Sequence, residues 1–321
     1  LPWGAGHNFI DLKSKKPIGT THEFKDCYPY YDFLFEVEPE RTAKFVKAYW
    51  NSHILSWNDL TFNRHGTPRD YATGSGDGFW QRPDTDGSIM GKEHYNALEP
   101  FRPANGMTFA NAGSDLIYAA QKLYQYTGDR GALNYAYYLY DEYMKARDPN
   151  TKLGTWVYTQ ARKTKERPAD ESDPEYTFYF YGDRALHNSE LETPDFKPLE
   201  GKDLFSSGFN KTVYVAFTSM ALSMAHDLEE SDPELSAYFK NTAVEGMIAY
   251  ANYAYVPEKN IFKAMWTNGM DMTNYELQRF GYFGNKGDII QPYPGEIAFL
   301  TSYVKAYKEQ PDAALWSLRG T

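Results

Sequence analysis

Apolar residues recur at helical spacing in paired segments along the chain. The clearest pair is "NAGSDLIYAAQKLYQYTGD", which ends in a glycine turn, followed directly by "GALNYAYYLYDEYMKARD", which stops before a proline. Further pairs occupy residues 28–40 with 41–57 and residues 210–231 with 235–254, and another begins at residue 295. This periodicity, with Gly and Pro at the boundaries, predicts antiparallel helices joined by short turns.

A short extended segment follows each pair, at residues 58–66, 151–162 and 258–269. Repeated helical hairpins bury their apolar stripes against one another and curve into a solenoid or a closed ring. The sequence therefore predicts an all-α fold, an α/α toroid with short β segments and a central cleft. We expect residues 1–321 to form one such domain, an excerpt of a longer protein that is incomplete at both ends.

Charge, apolar run length and cysteine count exclude several classes of partner and site. The formal net charge of −10 argues against binding to nucleic acid, because such proteins present a basic face to the phosphates. The apolar runs are shorter than the roughly 20 residues of a membrane-spanning helix, so no membrane partner is expected. Cys27 is the single cysteine, which leaves neither an internal disulfide nor a cysteine-based zinc site. No pattern in the sequence implies a protein partner.

Aromatic residues are unusually frequent, at 17% of the chain with 28 Tyr and 7 Trp. Many of them fall in stretches rich in Gly and Pro, and amphipathic rings on a concave surface suit stacking against sugars. The alternative is a helical core rich in tyrosine. Trp80 belongs to a long irregular stretch, residues 64–106, which we interpret as a packed wall of the cleft.

The stretch "DLTFNRHGTPRDY" places Arg64 and His65 side by side after a short extended segment. A fixed cation beside an imidazole suggests a site for proton transfer or metal binding. Other candidates are His7, which follows the turn "PWGAG", and the adjacent His22 and Glu23 in "GTTHEFKD". Since the chain has neither an H-x-x-x-H nor an H-E-x-x-H spacing, a metal site would have to combine distant segments.

Two segments carry a resemblance to a known family. They are residues 6–66, "GHNFIDLKSKKPIGTTHEFKDCYPYYDFLFEVEPERTAKFVKAYWNSHILSWNDLTFNRHG", and residues 265–287, "MWTNGMDMTNYELQRFGYFGNKG". Both resemble the family 2 polysaccharide lyases, which are periplasmic pectate lyases with an α/α toroid fold. The resemblance implies metal-assisted β-elimination of pectate, an acidic polysaccharide, to unsaturated oligogalacturonides. It also implies a periplasmic or secreted location, although the family has cytoplasmic members.

The same resemblance implies a set of site residues. His65 and Glu23 match metal ligands, with His7 as the third ligand and His22 as its substitute, and Arg64 matches the base that abstracts the proton. Two imidazoles and a carboxylate suit Mn, Co or Ni better than calcium, which prefers oxygen ligands. The alternative for Arg64 is a bidentate clamp on the substrate carboxylate, because a free guanidinium stays protonated in water.

Further substrate contacts are expected on the loop "QRFGYFGNKG", where Arg279 and Lys286 offer cations for uronate carboxylates and Tyr282 offers a ring. The alternative is that Arg279 pairs with an acidic residue of the protein and that Tyr282 is packed in the core.

Two other functions remain open on the same fold. A glycoside hydrolase or an isomerase acting on uronic-acid glycans is one, and an inverting hydrolase needs two carboxylates about 6.5–9.5 Å apart. The sequence places the available carboxylates, Asp70, Asp77, Asp115 and Asp271, in loops. The other is a non-catalytic glycan-binding module. A lyase is distinguished from both by a product that absorbs in the near ultraviolet.

Overall fold

The structure is a computed structural model, and it describes residues 9–10, 13, 17–18, 30–56, 60–62, 108, 110–154, 204–205, 207–263, 265–266, 269–276, 287–294 and 297–311. Helices dominate these residues. They are α1 (Tyr31–Val37), α2 (Pro39–His53), α3 (Ala110–Thr127), α4 (Arg130–Lys145), α5 (Ser207–Leu228), α6 (Pro233–Tyr253) and α7 (Ile297–Glu309). The predicted all-α class is confirmed, and the closed toroid stays a prediction.

The turns between paired helices follow from local sequence. Gly128 lies between α3 and α4 with φ +76°, a conformation that glycine adopts without strain, and its N–H donates to the Tyr124 carbonyl at 2.8 Å. Asp232 caps α6, because its carboxylate accepts the Leu235 N–H at 3.1 Å and Pro233 opens the helix. Each helical segment predicted from apolar spacing therefore contains a helix with a turn at the expected place.

The strands of the described residues are short and pair in antiparallel fashion. They are β1 (Phe9–Ile10) with β2 (Pro17–Ile18), β3 (Ile54–Ser56) with β4 (Thr61–Phe62), β5 (Leu204–Phe205) with β8 (Met265–Trp266), and β6 (Tyr255–Val256), β7 (Ile261–Phe262) and β9 (Tyr293–Pro294) in that order in one sheet. Strands β4, β7 and β8 lie in two of the predicted extended segments, which are thereby confirmed.

The chain divides into two compact units, which we describe one at a time. The first comprises Leu1–Glu142 with Thr159–Ala185, and the second comprises Tyr143–Tyr158 with Leu186–Thr321. The organisation as a single domain stays a prediction. None of the described helices combines the length and the apolar character needed to cross a membrane.

The first unit is held together by contacts between α1, α2 and α3. Trp50 on α2 is fully buried, and its indole N–H donates to the Leu116 carbonyl of α3 at 2.8 Å. Further along α3, the ammonium of Lys122 lies 2.9 Å from a carboxylate oxygen of Asp32 on α1. The Lys122 side chain is only 4% exposed but the Asp32 side chain is 50% exposed, so water reaches the carboxylate of this ion pair. The pair joins α1 to α3 at the edge of their packed faces.

The second unit packs around Phe262. This side chain, at the end of β7, is fully buried, stacks on Tyr250 of α6 at 4.8 Å and meets the ring of Phe299 of α7 edge-on at 4.5 Å between centroids. Aromatic rings contribute both apolar area and favourable ring geometry in such contacts. Phe262 therefore joins the small sheet to two helices at once.

Polar contacts on the surface join α5, α6 and α7. The ring nitrogens of His226 lie 3.2 Å from a Glu229 oxygen and 3.0 Å from a Glu309 oxygen. The Lys240 ammonium of α6 contacts the same two carboxylates at 3.2 and 3.3 Å. Two carboxylates and two nitrogen-bearing side chains thus alternate at the junction of the three helices.

Replacing Phe262 by Ala should lower the free energy of unfolding by about 3–5 kcal/mol, because it removes a buried ring that contacts the rings of Tyr250, Tyr255 and Phe299. Urea denaturation followed by circular dichroism measures the change. Tyr307→Ala, which removes a ring that is 43% exposed from α7, is the control. A loss in Phe262→Ala no larger than in the control would contradict the central place of this ring.

Candidate functional site

The site residues expected from the sequence lie outside the described part of the chain. They are His7, His22, Glu23, Arg64, His65, Trp80, Arg279, Tyr282 and Lys286. The structure therefore neither brings these residues together nor separates them. What it describes is the scaffold that leads into two of the segments that carry them.

The segment with Arg64 and His65 leaves a well-anchored hairpin. Strands β3 and β4 pair Ile54 with Phe62, and both side chains are fully buried. Leu60, at the turn, is buried and adopts φ +53°, a conformation that is uncommon for a branched side chain. The chain thus enters the Arg64 segment from a fixed point two residues earlier.

The loop with Arg279, Tyr282 and Lys286 is closed at its base. Glu276 and Ile289 form an antiparallel bridge, the Asn274 N–H donates to the Ile290 carbonyl at 2.8 Å, and the Ile290 N–H donates to the Tyr275 carbonyl at 2.8 Å. These contacts join the two ends of the segment 277–286 as the two arms of a hairpin are joined. A closed base limits the region over which the side chains of the loop can act.

For one of the carboxylates considered for a hydrolase, the location expected from the sequence was wrong. Asp115 was expected in a loop. It lies instead in the first turns of α3, where it is buried at 3% exposure. The expectation was wrong because Asp115 shares its helix face with Ala112, Leu116 and Ala119, all of which are buried. Asp271 is exposed and its carboxylate accepts the Thr273 N–H at 2.8 Å. Asp70 and Asp77 lie outside the described residues.

Asp115 is a buried acid with tyrosines around it. The Tyr31 hydroxyl lies 3.5 Å from its Oδ1. Burial raises the pKa of Asp115 to about 7, although the hydroxyls of Tyr49 and Tyr31 oppose the change. Burial and the neighbouring carboxyl also raise the pKa of Tyr31 well above its ordinary value. This group can hold a proton near neutral pH inside the helical core of the first unit.

A cleft of about 830 Å³ opens in the second unit, where the C-terminal half of α6 meets two loops. Its lining brings together two lysines, two asparagines and a tyrosine from segments that are far apart in the sequence. The polar and aromatic residues are Asn150, Thr151, Lys152, Glu245, Asn252, Tyr253 and Lys263, and Gly269 completes the wall with Ile248 and Ala249.

The loop after α4 is fixed by Asp148. Its buried carboxylate accepts the N–H groups of Asn150 at 2.8 Å and Thr151 at 3.0 Å, and its carbonyl accepts the Lys152 N–H at 2.9 Å. Lys152 itself adopts φ +63°, which the hydrogen-bonded turn imposes. The backbone that presents Lys152 to the cleft is therefore ordered before any ligand arrives.

The other wall of the cleft depends on close packing at the end of α6. Gly269 has φ +86°, and a β-carbon there would lie 3.2 Å from Cδ1 of Tyr253, so only glycine fits without a shift of the ring. The Lys263 N–H donates to the Ala254 carbonyl at 2.9 Å, which places Lys263 directly beside the end of α6. These backbone constraints hold Tyr253 and Lys263 next to each other.

The chemistry available in this cleft is that of binding. Ammonium, amide and phenol groups recognise an anionic ligand rich in hydroxyls. Within the described residues, no three His, Cys, Asp or Glu side chains are grouped to hold a metal ion. Sequence reasoning missed Lys152 and Lys263, and the available signal was that each belongs to one of the extended segments that follow a helical pair.

Comparisons with known proteins identify what the chain is similar to. A family model described as periplasmic pectate lyase matches residues 1–320. A pectate disaccharide-lyase of Dickeya dadantii (strain 3937) is 33% identical over 333 aligned positions, which cover 98% of this chain and 55% of that protein. The chain thus spans about half the length of this curated relative. The periplasmic location in the family's description agrees with the location expected from the sequence.

Asp115→Asn should change how stability depends on pH. Because the pKa of Asp115 rises from 3.8 to about 7 on folding, the native state binds the extra proton between these values. The wild-type free energy of unfolding should therefore decrease, relative to that of the always neutral variant, as the pH rises from about 4 to about 7. The difference should be on the order of a few kcal/mol, since one pKa unit corresponds to about 1.4 kcal/mol.

Urea denaturation at several pH values across this window measures the effect. Asp271→Asn makes the same chemical change on an exposed side chain and is the control. Parallel stability curves for the wild type and Asp115→Asn would contradict the proposed protonation of the buried acid.

Proposed function

The chain belongs to the periplasmic pectate lyase family, and from this premise we propose that it cleaves pectate by β-elimination to unsaturated oligogalacturonides. The observation that carries the proposal is the match of the family model to residues 1–320. The name of the Dickeya relative, pectate disaccharide-lyase, supports pectate as the substrate. Polygalacturonate is polyanionic while the chain carries a net charge of −10, so recognition needs local cations.

The reaction removes the proton from C5 of a galacturonate unit, forms a double bond between C4 and C5 and breaks the glycosidic C4–O bond, and the leaving oxygen takes up a proton from water. Negative charge develops on the carboxylate attached to C5 as the proton leaves. His7, Glu23 and His65 are the proposed metal ligands, and their two imidazoles and one carboxylate fit Mn, Co or Ni. Such a cation, when bound, neutralises the substrate carboxylate and stabilises the developing negative charge.

Arg64 is the proposed base. Because the pKa of a free guanidinium is far above neutral, the arginine side chain can accept a proton only where its neutral form is favoured. Its position beside a proposed metal ligand supplies this condition, because a nearby divalent cation disfavours a second positive charge. The second role, a bidentate clamp on the substrate carboxylate, uses the same side chain in its ordinary charged form.

Arg279, Tyr282 and Lys286 are proposed to contact neighbouring uronate units. The closed base of their loop supports this role, because side chains on a short closed loop lose less conformational entropy when they bind a ligand. Trp80 is proposed to contact the substrate through its aromatic ring.

Incubation with polygalacturonate separates the candidate functions. In the presence of manganese we expect an increase of near-ultraviolet absorbance, which a chelator abolishes. A hydrolase would release new reducing ends without this absorbance. A glycan-binding module would bind oligogalacturonides without releasing any product, whatever metal is supplied.

Arg64→Lys should leave metal affinity nearly intact and reduce turnover of pectate at least about 100-fold, because lysine lacks the planar fork and the reach of arginine. His65→Ala should lose both metal affinity and turnover, because it removes a proposed ligand. Calorimetric titration with manganese measures the first quantity and the absorbance assay measures the second. Arg41→Lys, an exposed arginine on α2, is the control and should keep near wild-type turnover.

Affinity for an oligogalacturonide that is not cleaved then separates the two roles of Arg64. A variant that lacks the base should still bind the oligomer, whereas a variant that lacks the clamp should bind it poorly. Near wild-type turnover by Arg64→Lys would contradict both roles.

A further inference from the structure

We propose that the cleft of the second unit is a binding subsite for a uronate residue, with Lys152 and Lys263 on the carboxylate and Tyr253 against the sugar ring. The assignment of the sugar as galacturonate rests on the proposed function. All the described residues that line the cleft belong to the second unit.

The size and composition of the cleft suit a sugar. Its volume of about 830 Å³ lies within the range of about 300–1,000 Å³ that is typical of small-molecule sites. The amides of Asn150 and Asn252 each offer donors and an acceptor, which is what sugar hydroxyl groups need. A lining of this kind would be unusual for a purely apolar ligand.

The charges in the cleft leave its cations available for an anion. Lys152 is exposed, and its ammonium makes no ion pair within the described residues. Lys263 approaches Asp271 at 3.7 Å, but both side chains are more than a third exposed, so this pair is weak. The carboxylate of Glu245 is drawn toward Arg147, whose guanidinium lies 3.5 Å away and also donates to the Thr242 carbonyl at 2.9 Å.

Tyr253 provides the aromatic surface. The ring is 40% exposed although it lines a cleft, and the backbone of Gly269 packs against one of its edges. A partly exposed ring held in this way can stack against the apolar C–H groups of a sugar while its hydroxyl stays in water. Two lysines that line the same cleft as such a ring are the combination that distinguishes a uronate from a neutral sugar.

The helix end in the cleft favours a carboxylate over a phosphate. Tyr253 is the last residue of α6, and the C-terminal end of a helix carries partial negative charge from its carbonyl groups. This charge opposes a dianion more than a singly charged carboxylate, and the carbonyl groups can accept hydrogen bonds from hydroxyls. The ligand chemistry is therefore that of a sugar acid rather than that of a phosphorylated compound.

The test measures binding of saturated trigalacturonate by calorimetry with the metal chelated, so that turnover does not interfere. The variant is Lys152→Asn with Lys263→Gln, because asparagine tolerates the positive φ at position 152. The matched control is Lys305→Gln with Lys308→Gln, which removes the same charge from exposed positions on α7. Thermal melting and circular dichroism check that both proteins are folded.

We expect the cleft variant to bind trigalacturonate at least about tenfold more weakly than the wild type, while the control is unchanged. The fully methyl-esterified trimer, which has the same rings without the charge, should lose no affinity in the cleft variant. Tyr253→Leu should weaken binding of both trimers, and Tyr253→Phe should retain it. The result specific to the two lysines is that the cleft variant, unlike the wild type, no longer binds the free acid more tightly than the ester.

Equal affinity of the wild type and the cleft variant for trigalacturonate would overturn the proposal. So would competition by inorganic phosphate at the same concentrations as the sugar, since this would indicate a general anion site. Turnover in the absorbance assay is a separate measurement. Lysine-dependent binding without any turnover would contradict the proposed function and support the subsite. Normal turnover with unchanged KM and unchanged binding in the cleft variant would support the proposed function and contradict the subsite.

Discussion

The second unit depends on the burial of one ring, that of Phe262. Helix α6 ends at Tyr253, and the chain must return over its last turns for Phe262 to stack on Tyr250 and reach Phe299. The return forces the β6–β7 hairpin, and the next residue after β7 is Lys263, beside the end of α6. The position of Lys263 in the proposed binding cleft thus follows from a packing requirement, because the burial of Phe262 fixes the position of the residue that follows it.

Apolar periodicity predicted the helices well because helix formation in this chain is driven by burial of one face. The turn residues Gly128 and Asp232 refined the boundaries, since each satisfies backbone groups that a helix end leaves unpaired. The expected location of Asp115 was wrong because its charge was given more weight than its position in the helical repeat. A carboxylate was expected in a loop, yet its spacing from Leu116 and Ala119 already placed it on the buried face. The division into two compact units has no comparable local signal.

The candidate site was less accessible to sequence reasoning. Residue types and a resemblance to a family indicated Arg64, His65 and Glu23, and these assignments stay predictions because they fall outside the described residues. The cleft of the second unit could not be predicted, because which segments meet depends on contacts such as that between Arg147 and Thr242, 95 positions apart. Spacing along a chain does not report such contacts. The positive φ of Lys152, a residue that lines the cleft, follows from hydrogen bonds to Asp148 that only the structure shows.

The closed base of the segment 277–286 has a consequence for evolution. The bridge between Glu276 and Ile289 and the paired hydrogen bonds beside it join the chain on the two sides of this segment. Lengthening a loop whose ends are already joined changes the free energy of folding only slightly, since each doubling of length costs about 0.6 kcal/mol. Insertions and exchanges in this segment can therefore accumulate without loss of the scaffold. Under the proposed role of this segment in contacting uronate units, proteins that share the scaffold can diverge in the polymers they accept through changes within residues 277–286.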